Sequence, residues 1–298
     1  MKQDDAAFAD AWREHRRYVL DVAYRMLGSI SDAEDVVQET FARLLKQDAD
    51  QIQDVRGWLV VVATRLCLDQ LRSARSRRES YVGPWLPEPV IEGETDDPSD
   101  RITLDASVRM ALLVVLERLT PAERATFVLH DVFGFSFDDV AKIVGRSVEA
   151  CRQLASRARR RIEDETGPAR FDVDPNELGR IADRFIAAAT VGDMDALMEV
   201  LDPNVVGWTD SAGLFGAPLE PLVGRDRVAT QFLRFVHNYR VTLSPLPVNG
   251  EPGVLVSRSG RLFSVIALET SGGVITRLHG IANPEKLKYV AAVLGVDG

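Results

Sequence analysis

Residues 142–161 concentrate side chains that can neutralise phosphate and bond base edges: Lys142, Arg146, Arg152, Arg157, Arg159, Arg160 and Arg161 face one acid, Glu149. Their setting is that of a helix-turn-helix. Ser136 can cap a helix carrying Val140, Ala141, Ile143 and Val144, with Asp139 at its third position, and this helix stops at Gly145. The turn Gly145-Arg146-Ser147 follows, and Ser147 caps a second helix. That helix gathers Val148, Cys151, Ala155, Ala158 and Ile162 on one face. A major groove admits one α-helix, whose outer Arg and Gln side chains can bond bases or phosphates. The expected DNA-reading set is Ser147, Glu149, Arg152, Gln153, Ser156, Arg157 and Arg160.

A second basic run lies at 65–78, where Arg65, Arg72, Arg75, Arg77 and Arg78 face only Asp69. Arg72 and Arg75 stand one turn apart and can follow a phosphate backbone. A basic helix end is also favoured by the helix dipole, so this run alone does not define a site. Upstream, Trp58 can stack on an unpaired base or simply join an apolar stripe with Val61, Val62, Leu66 and Leu68. Residues 31–46 have the opposite character. Ser31 is expected to cap a helix with Glu34 reaching back, and Ala33, Val36, Val37, Phe41, Leu44 and Leu45 recur at helical spacing. Asp32, Glu34, Asp35 and Glu39 make its outer side acidic, which suits a protein partner and repels phosphate.

The elements that position these residues fall into blocks. Helices fill the chain to about residue 80, with Gly57-Trp58 opening the longer one. Residues 79–101 mix Pro84, Pro87, Pro89 and Pro98 with Glu88, Glu92, Glu94, Asp96, Asp97 and Asp100, a linker composition. Trp85-Leu86-Pro87-Glu88-Pro89 is too apolar for a pure spacer and is expected to dock. Helical pattern resumes at 102–165, where Thr120-Pro121-Ala122-Glu123 is a capping box with proline at the first helical position. Beyond Gly167-Pro168 come helices from Asp174 and after Gly192, strand-like runs at 204–209, 241–248, 253–257, 261–269 and 274–281, and a helix near 225–238. Ser271-Gly272-Gly273 suits a hairpin between the last two strands.

Composition sets bounds on all of this. The 298 residues allow two or three domains, and a net charge of −9 excludes a uniformly basic nucleic-acid coat while permitting two local contacts. Cys67 and Cys151 are too few for a disulfide framework or a Cys-rich zinc site and are expected to be small buried hydrophobes. No apolar run is long enough to span a membrane and Met1-Lys2-Gln3-Asp4-Asp5 lacks a leader's layout, so the expectation is a cytoplasmic protein with no membrane contact. Neither a metal nor a cofactor is expected.

Several of these segments resemble a known family. Tyr24-Arg25-Met26-Leu27-Gly28 followed by Asp32-Ala33-Glu34-Asp35-Val36-Val37-Gln38-Glu39-Thr40-Phe41 is similar to the core-polymerase-binding region of extracytoplasmic-function sigma factors. Arg56-Gly57-Trp58-Leu59 and Asp69-Gln70-Leu71-Arg72 resemble their promoter-melting, −10-reading helix, with Arg65 where the family usually has Asn. Leu119-Thr120-Pro121-Ala122-Glu123-Arg124 and the helix-turn-helix resemble their −35-reading domain. Behind them, Trp85-Leu86-Pro87-Glu88-Pro89, Trp208-Thr209-Asp210 and Asn283-Pro284-Glu285-Lys286-Leu287 resemble the group with a fused SnoaL-like, NTF2-like domain. The glycine-rich stretch of that group is replaced by Ser211-Ala212-Gly213.

The resemblance implies a multidomain fold: two all-α modules, then an α+β NTF2-like cone. Its expected divisions are region 2 at 1–80, a linker at 81–101, region 4 at 102–166 and the cone at 170–298. Asp32, Glu34, Asp35, Gln38 and Glu39 would bind core RNA polymerase through a coiled coil of its largest subunit. Trp58, Arg65, Asp69, Arg72 and Arg75 would read the −10 element of promoter DNA, a flipped base being held by the segment near 47–55. Trp85, Leu86, Pro87, Asn283 and Pro284 would form an interdomain contact, and the cone admits an unidentified small ligand. Two other readings compete. One is a dimeric repressor using the same helix-turn-helix, which leaves the acidic helix without a use. The other makes the cone an isomerase- or cyclase-like enzyme using Asp183, Asp210 or His279.

Overall fold

A left-handed glycine sets the first corner of the chain. In the computed structural model, which describes residues 2–47, 52–79, 81–92, 102–166 and 175–296, helix α1 (Lys2–Leu27) ends at Gly28, φ +69°. Ser29 is extended and its hydroxyl accepts the Asp32 N–H at 3.1 Å, capping α2 (Ile30–Leu44). This corrects the cap expected at Ser31: the Gly28 turn starts the helix earlier and leaves Ser31 inside its first turn. Helix α3 (Val55–Glu79) likewise begins before Gly57, because Asp54 Oδ1 accepts the Gly57 N–H at 2.9 Å.

The chain divides into two compact units, one of residues 1–79, 95–107 and 112–169, the other of 80–94, 108–111 and 170–298. In the first, α1 buries Val19, Leu20, Val22, Ala23 and Met26 against Ala33, Val36, Val37 and Phe41 of α2. Helix α3 completes this core with Leu59, Val60, Ala63, Cys67, Leu68 and Leu71. The expected stripe of Trp58, Val61, Val62 and Leu66 is only partly covered. Both sides of α3 are apolar, so pattern alone did not choose between them; small Ala63 and Cys67 let a neighbouring helix approach the side that packs.

Helix α4 (Met110–Leu116) leads to α5 (Pro121–Phe127), whose N-terminus is the reciprocal box of Thr120 and Glu123. A π-helical turn, Val128–Val132, precedes α6 (Phe137–Val144) and α7 (Val148–Thr166). Helix α3 packs on α5 and α6, so the two helical modules share one unit. Arg25 of α1, wholly buried, reinforces that packing. Its guanidinium donates to Ser107 Oγ at 2.6 Å and Thr103 O at 3.0 Å, while Asp21 accepts from the Thr103 amide at 2.7 Å. Arg124 of α5 donates back to the Arg25 carbonyl at 3.2 Å.

The second unit contains α8 (Pro175–Val191), α9 (Met194–Val200), β1 (Leu201–Asp210), β2 (Leu222–Val223), α10 (Arg225–Tyr239), β3 (Thr242–Pro245), β4 (Gly253–Arg258), β5 (Arg261–Ser271), β6 (Val274–Ile281) and α11 (Pro284–Leu294). The six strands form one mixed sheet in the order β2-β1-β6-β5-β4-β3, with β1 and β6 parallel. Together with its helices this is an NTF2-like α+β fold. Gly272 (φ +59°) and Gly273 (φ +80°) make the expected tight hairpin between β5 and β6. Helix α11 was not expected as an element, although its signals are in the sequence: Asn283 caps it, Pro284 occupies its start and Gly295 ends it.

Candidate nucleic-acid interface

Helix α7 owes its orientation to two caps and a buried face. Gly145, φ +71°, ends α6, and Ser147 Oγ accepts the Ala150 N–H at 3.2 Å to start α7. Cys151, Leu154, Ala155 and Ala158 are buried, whereas Ser147, Glu149, Arg152, Gln153, Ser156, Arg157, Arg159 and Arg160 are exposed. Several arginines are held in place: Arg157 Nε lies 3.0 Å from Glu123, Arg159 Nε 2.5 Å from Asp131, and Arg152 3.6 Å from Glu149. Burial pushes the Glu123 carboxyl up, but hydrogen bonds from Thr120 and the Arg157 pair outweigh it and leave the group below its usual range. Arg157 is thereby anchored to the scaffold at its Nε, which leaves its other nitrogens available for a ligand.

The outer side of α3 presents Arg65, Asp69 and Arg72 to solvent, with Arg72 and Asp69 paired at 3.2 Å, beside half-buried Trp58, Val61, Val62 and Leu66. This is an apolar strip edged by charge. The Arg75 side chain and residues 48–51 lie outside what the structure describes. On α2, Asp32, Asp35, Gln38 and Glu39 are exposed and Glu34 is half-buried; Glu39 pairs with Arg43 at 2.8 Å. Arg25 and Tyr24, although they belong to the quoted Tyr24–Gly28 segment, are buried and serve packing. Both cysteines are buried, and burial raises each thiol's pKa.

In the second unit, three segments singled out in the sequence meet around Asp210. This carboxylate, fully buried, accepts the Leu86 N–H at 2.9 Å and pairs with Lys286 Nζ at 2.6 Å. Lys286 also donates to the Leu86 carbonyl at 2.5 Å and lies 3.3 Å from the centre of the Trp85 ring. Tyr81 donates its hydroxyl proton to Asp210 and accepts from Asn283 Nδ2 at 2.9 Å; burial first, then the bond to Asp210, pushes its phenol pKa up. Leu86, Pro87, Pro89, Val90 and Ile91 are buried. The linker continues into a clasp at Asn249, a left-handed residue (φ +55°). Its N–H donates to Val90 O at 2.7 Å, its Oδ1 accepts the Val90 N–H at 3.1 Å, and its Nδ2 donates to Val108 O at 2.8 Å. Asn249 and Tyr81 were missed in the sequence. A lone Asn in a Val-Asn-Gly turn reads as a hairpin signal and carries no mark of its partners.

Beneath the sheet lies a cavity of about 380 Å³. None of Asp183, Asp210 and His279, the candidates of the enzyme reading, lines it. Asp183 is exposed on α8, Asp210 is spent on the linker, and His279 is buried with its ring stacked on Trp208 at 5.0 Å. Among the described residues no helix is long and apolar enough to cross a membrane, and no group of three His, Cys, Asp or Glu could hold a metal.

A capped helix with an exposed basic face, a charge-edged apolar strip on a second helix and a third domain bonded to the linker are the features of an RNA polymerase sigma factor, and comparison with known proteins shows that class. Family models agree: Sigma-70 region 2 matches residues 11–77 and Sigma-70 region 4 matches 109–162. The chain belongs to the extracytoplasmic-function (ECF) RNA polymerase sigma factors. It is 43% identical to the probable ECF RNA polymerase sigma factor SigI of Mycobacterium tuberculosis, over 99% of each chain. SigJ of the same organism is 39% identical over 91% of this chain and 90% of its own. The crystal structure of SigJ superposes with a TM-score of 0.76 at 36% identity, covering 94% of this chain and 98% of that one.

Proposed function

We propose that this sigma factor binds core RNA polymerase through the exposed acidic side of α2 and reads the −10 and −35 elements with α3 and α7 respectively. Asp32, Asp35, Gln38 and Glu39, with Glu34 beside them, would contact a coiled coil of the largest polymerase subunit. Trp58 and its apolar neighbours would receive unstacked bases, while Arg65 and Arg72 follow the backbone; Asp69 orients Arg72. Arg75 is assigned to the same strand by its spacing alone. The −35 element would be read by Ser147, Glu149, Arg152, Gln153, Ser156, Arg157 and Arg160. The proposed functional divisions follow the expected ones: 1–80, 81–101, 102–166 and 170–298.

The observation that carries the reading is the division of α7 into a buried small-residue face and an exposed face of Arg152, Gln153, Ser156, Arg157 and Arg160. The third domain acts as a fused regulator. It reaches the DNA-reading modules through the linker, which Trp85, Leu86, Pro87, Asn283 and Pro284 help to seat. The test is reconstitution: the chain mixed with core polymerase should co-migrate with it and direct initiation at a subset of promoters. A chain that binds DNA as a dimer and never joins the polymerase is a repressor, and the proposal fails.

A further inference from the structure

The cavity of the third domain is walled by aromatic rings, and its lining carries almost no charge. Phe215, Phe235, Tyr239 and Phe263 form a continuous cluster with ring centres 4.9–5.7 Å apart along it, and all four line the cavity. Arg234 is the one formally charged side chain among its lining residues, and it is exposed. There is no acid, histidine or lysine in that lining to exchange a proton with a substrate. The cavity opens to solvent on the side of exposed Arg234 and Asn238, so a small molecule can reach the rings. The volume falls within the range of small-molecule sites.

Strand β1 connects this cavity to the linker. Gly207, Trp208, Thr209 and Ser211 line the cavity, while Asp210 among them does not. Asp210 instead holds Leu86 and Lys286, and its carbonyl accepts the amides of Ala282, itself a cavity residue, and Asn283 at 2.7 and 3.0 Å. The residues either side of the linker's anchor, Thr209 and Ser211, thus belong to the cavity wall.

We propose that the cavity binds a flat, ring-bearing organic acid, its rings against the aromatic wall and its anionic group toward Arg234, and that occupancy tightens the hold of Asp210 on the linker. This rests on the regulatory role given above to the third domain. Its chemistry, however, is tested without transcription.

The experiment uses the full chain and 2-naphthoate as the probe, with neutral 2-naphthamide for comparison, in titration calorimetry. One naphthoate should bind per chain, at least tenfold more tightly than the amide. Arg234→Gln, an exposed change, should erase that preference. Gly207→Leu should weaken both ligands at least tenfold, since Gly207 lines the cavity and a Cβ at this position would meet only the Val228 methyls, at 3.7 and 3.9 Å. Hydrogen exchange over 81–92 should slow at least threefold at saturation. Absence of saturable binding at millimolar naphthoate, or a preference that survives Arg234→Gln, overturns the site even if Gly207→Leu fails to fold. Unchanged exchange at saturation overturns the coupling. Promoter-directed initiation without ligand is scored separately, so either failure is distinct from failure of the sigma-factor reading.

Discussion

Asp210 and Lys286 pair at 2.6 Å with both side chains almost fully buried, and the main chain of Leu86 bonds to each of them. A buried ion pair offers little net stability over an apolar replacement, but removing one partner strands the other and costs about 3–5 kcal/mol. Here the pair has a use beyond stability: it reads the backbone of a passing segment.

Lys286→Met should therefore lower the urea midpoint of the second unit by an amount corresponding to about 3–5 kcal/mol and open residues 81–92 to protease. Asp210→Asn should do the same. The double variant should cost less than the two single losses added together, because the survivor of each single change is no longer left uncompensated. Additive losses would mean that the pair acts as two independent contacts.

On α7, Arg157 and Arg160 differ in what holds them. Arg157 is fixed to Glu123, whereas no ion pair or hydrogen bond to Arg160 is found among the described residues. Arg160→Ala should reduce the salt slope of promoter binding by about 1, as expected when one phosphate is no longer neutralised. Arg157→Ala should lower affinity by about 1–3 kcal/mol if it reads a base, and relax preference at one position. Filter binding across a salt series, on matched and shuffled −35 sequences, separates the two. Unchanged slopes and affinities in both variants would place the DNA elsewhere.

Much of this surface was legible before the fold. The caps at Thr120, Ser136 and Ser147 and the stop at Gly145 are local chemistry, so the sequence placed α5, α6 and α7 closely. The faces of α3 were not legible, since Val61 and Val62 are as apolar as Leu59 and Val60 and only the packing partner decides. The linker anchor was half legible. Trp85 and Leu86 stood out as apolar residues in an acidic stretch and the segments of Asp210 and Lys286 stood out by resemblance, but that these bond one another was not legible, and Asn249, far along the chain, looks like an ordinary turn residue.

Charge reversal on α2 tests the proposed polymerase contact. Asp35→Lys with Glu39→Lys removes two exposed acids and leaves the buried face of α2 untouched. Affinity for core polymerase should fall at least tenfold by equilibrium binding, while melting temperature changes little. Loss of the Glu39–Arg43 pair is worth only about 0.3–0.5 kcal/mol. Normal holoenzyme assembly would refute the contact.

Glu251 gives the second unit a pH dependence. Burial first, then the neighbouring Glu269 carboxylate, pushes its pKa up to about 8, while Arg109 and a hydrogen bond at the Met110 backbone pull the other way. Glu269 is itself raised by burial, against the pull of Arg277, and lies 3.6 Å from His279 Nδ1. Between the ordinary value of 4.5 and about 8, the folded chain keeps the Glu251 proton and the unfolded chain releases it. Stability is therefore greatest at the acid end of that window and falls as pH rises through it. Glu251→Gln should flatten the profile, with a higher urea midpoint than the parent at about pH 8.5 and a similar one at about pH 5. Parallel profiles would assign the slope to another group.

The Asn249 clasp also fixes a length. Because one side chain and its backbone hold both Val90 and Val108, the ends of the stretch between them are pinned at one point and that stretch adds no reach. From Glu79 to Val108 the free contour would extend to about 100 Å, but from Glu79 to Val90 only to about 40 Å. Elements centred at −10 and −35 are roughly 25 base pairs apart, about 85 Å along B-form DNA. With the loop closed, the breadth of the modules themselves must supply about half of that span; with it released, the tether alone exceeds it. Three hydrogen-bonding groups on one asparagine thus act as a slipknot in the chain, and loosening it should lengthen the tether available to the two helical modules.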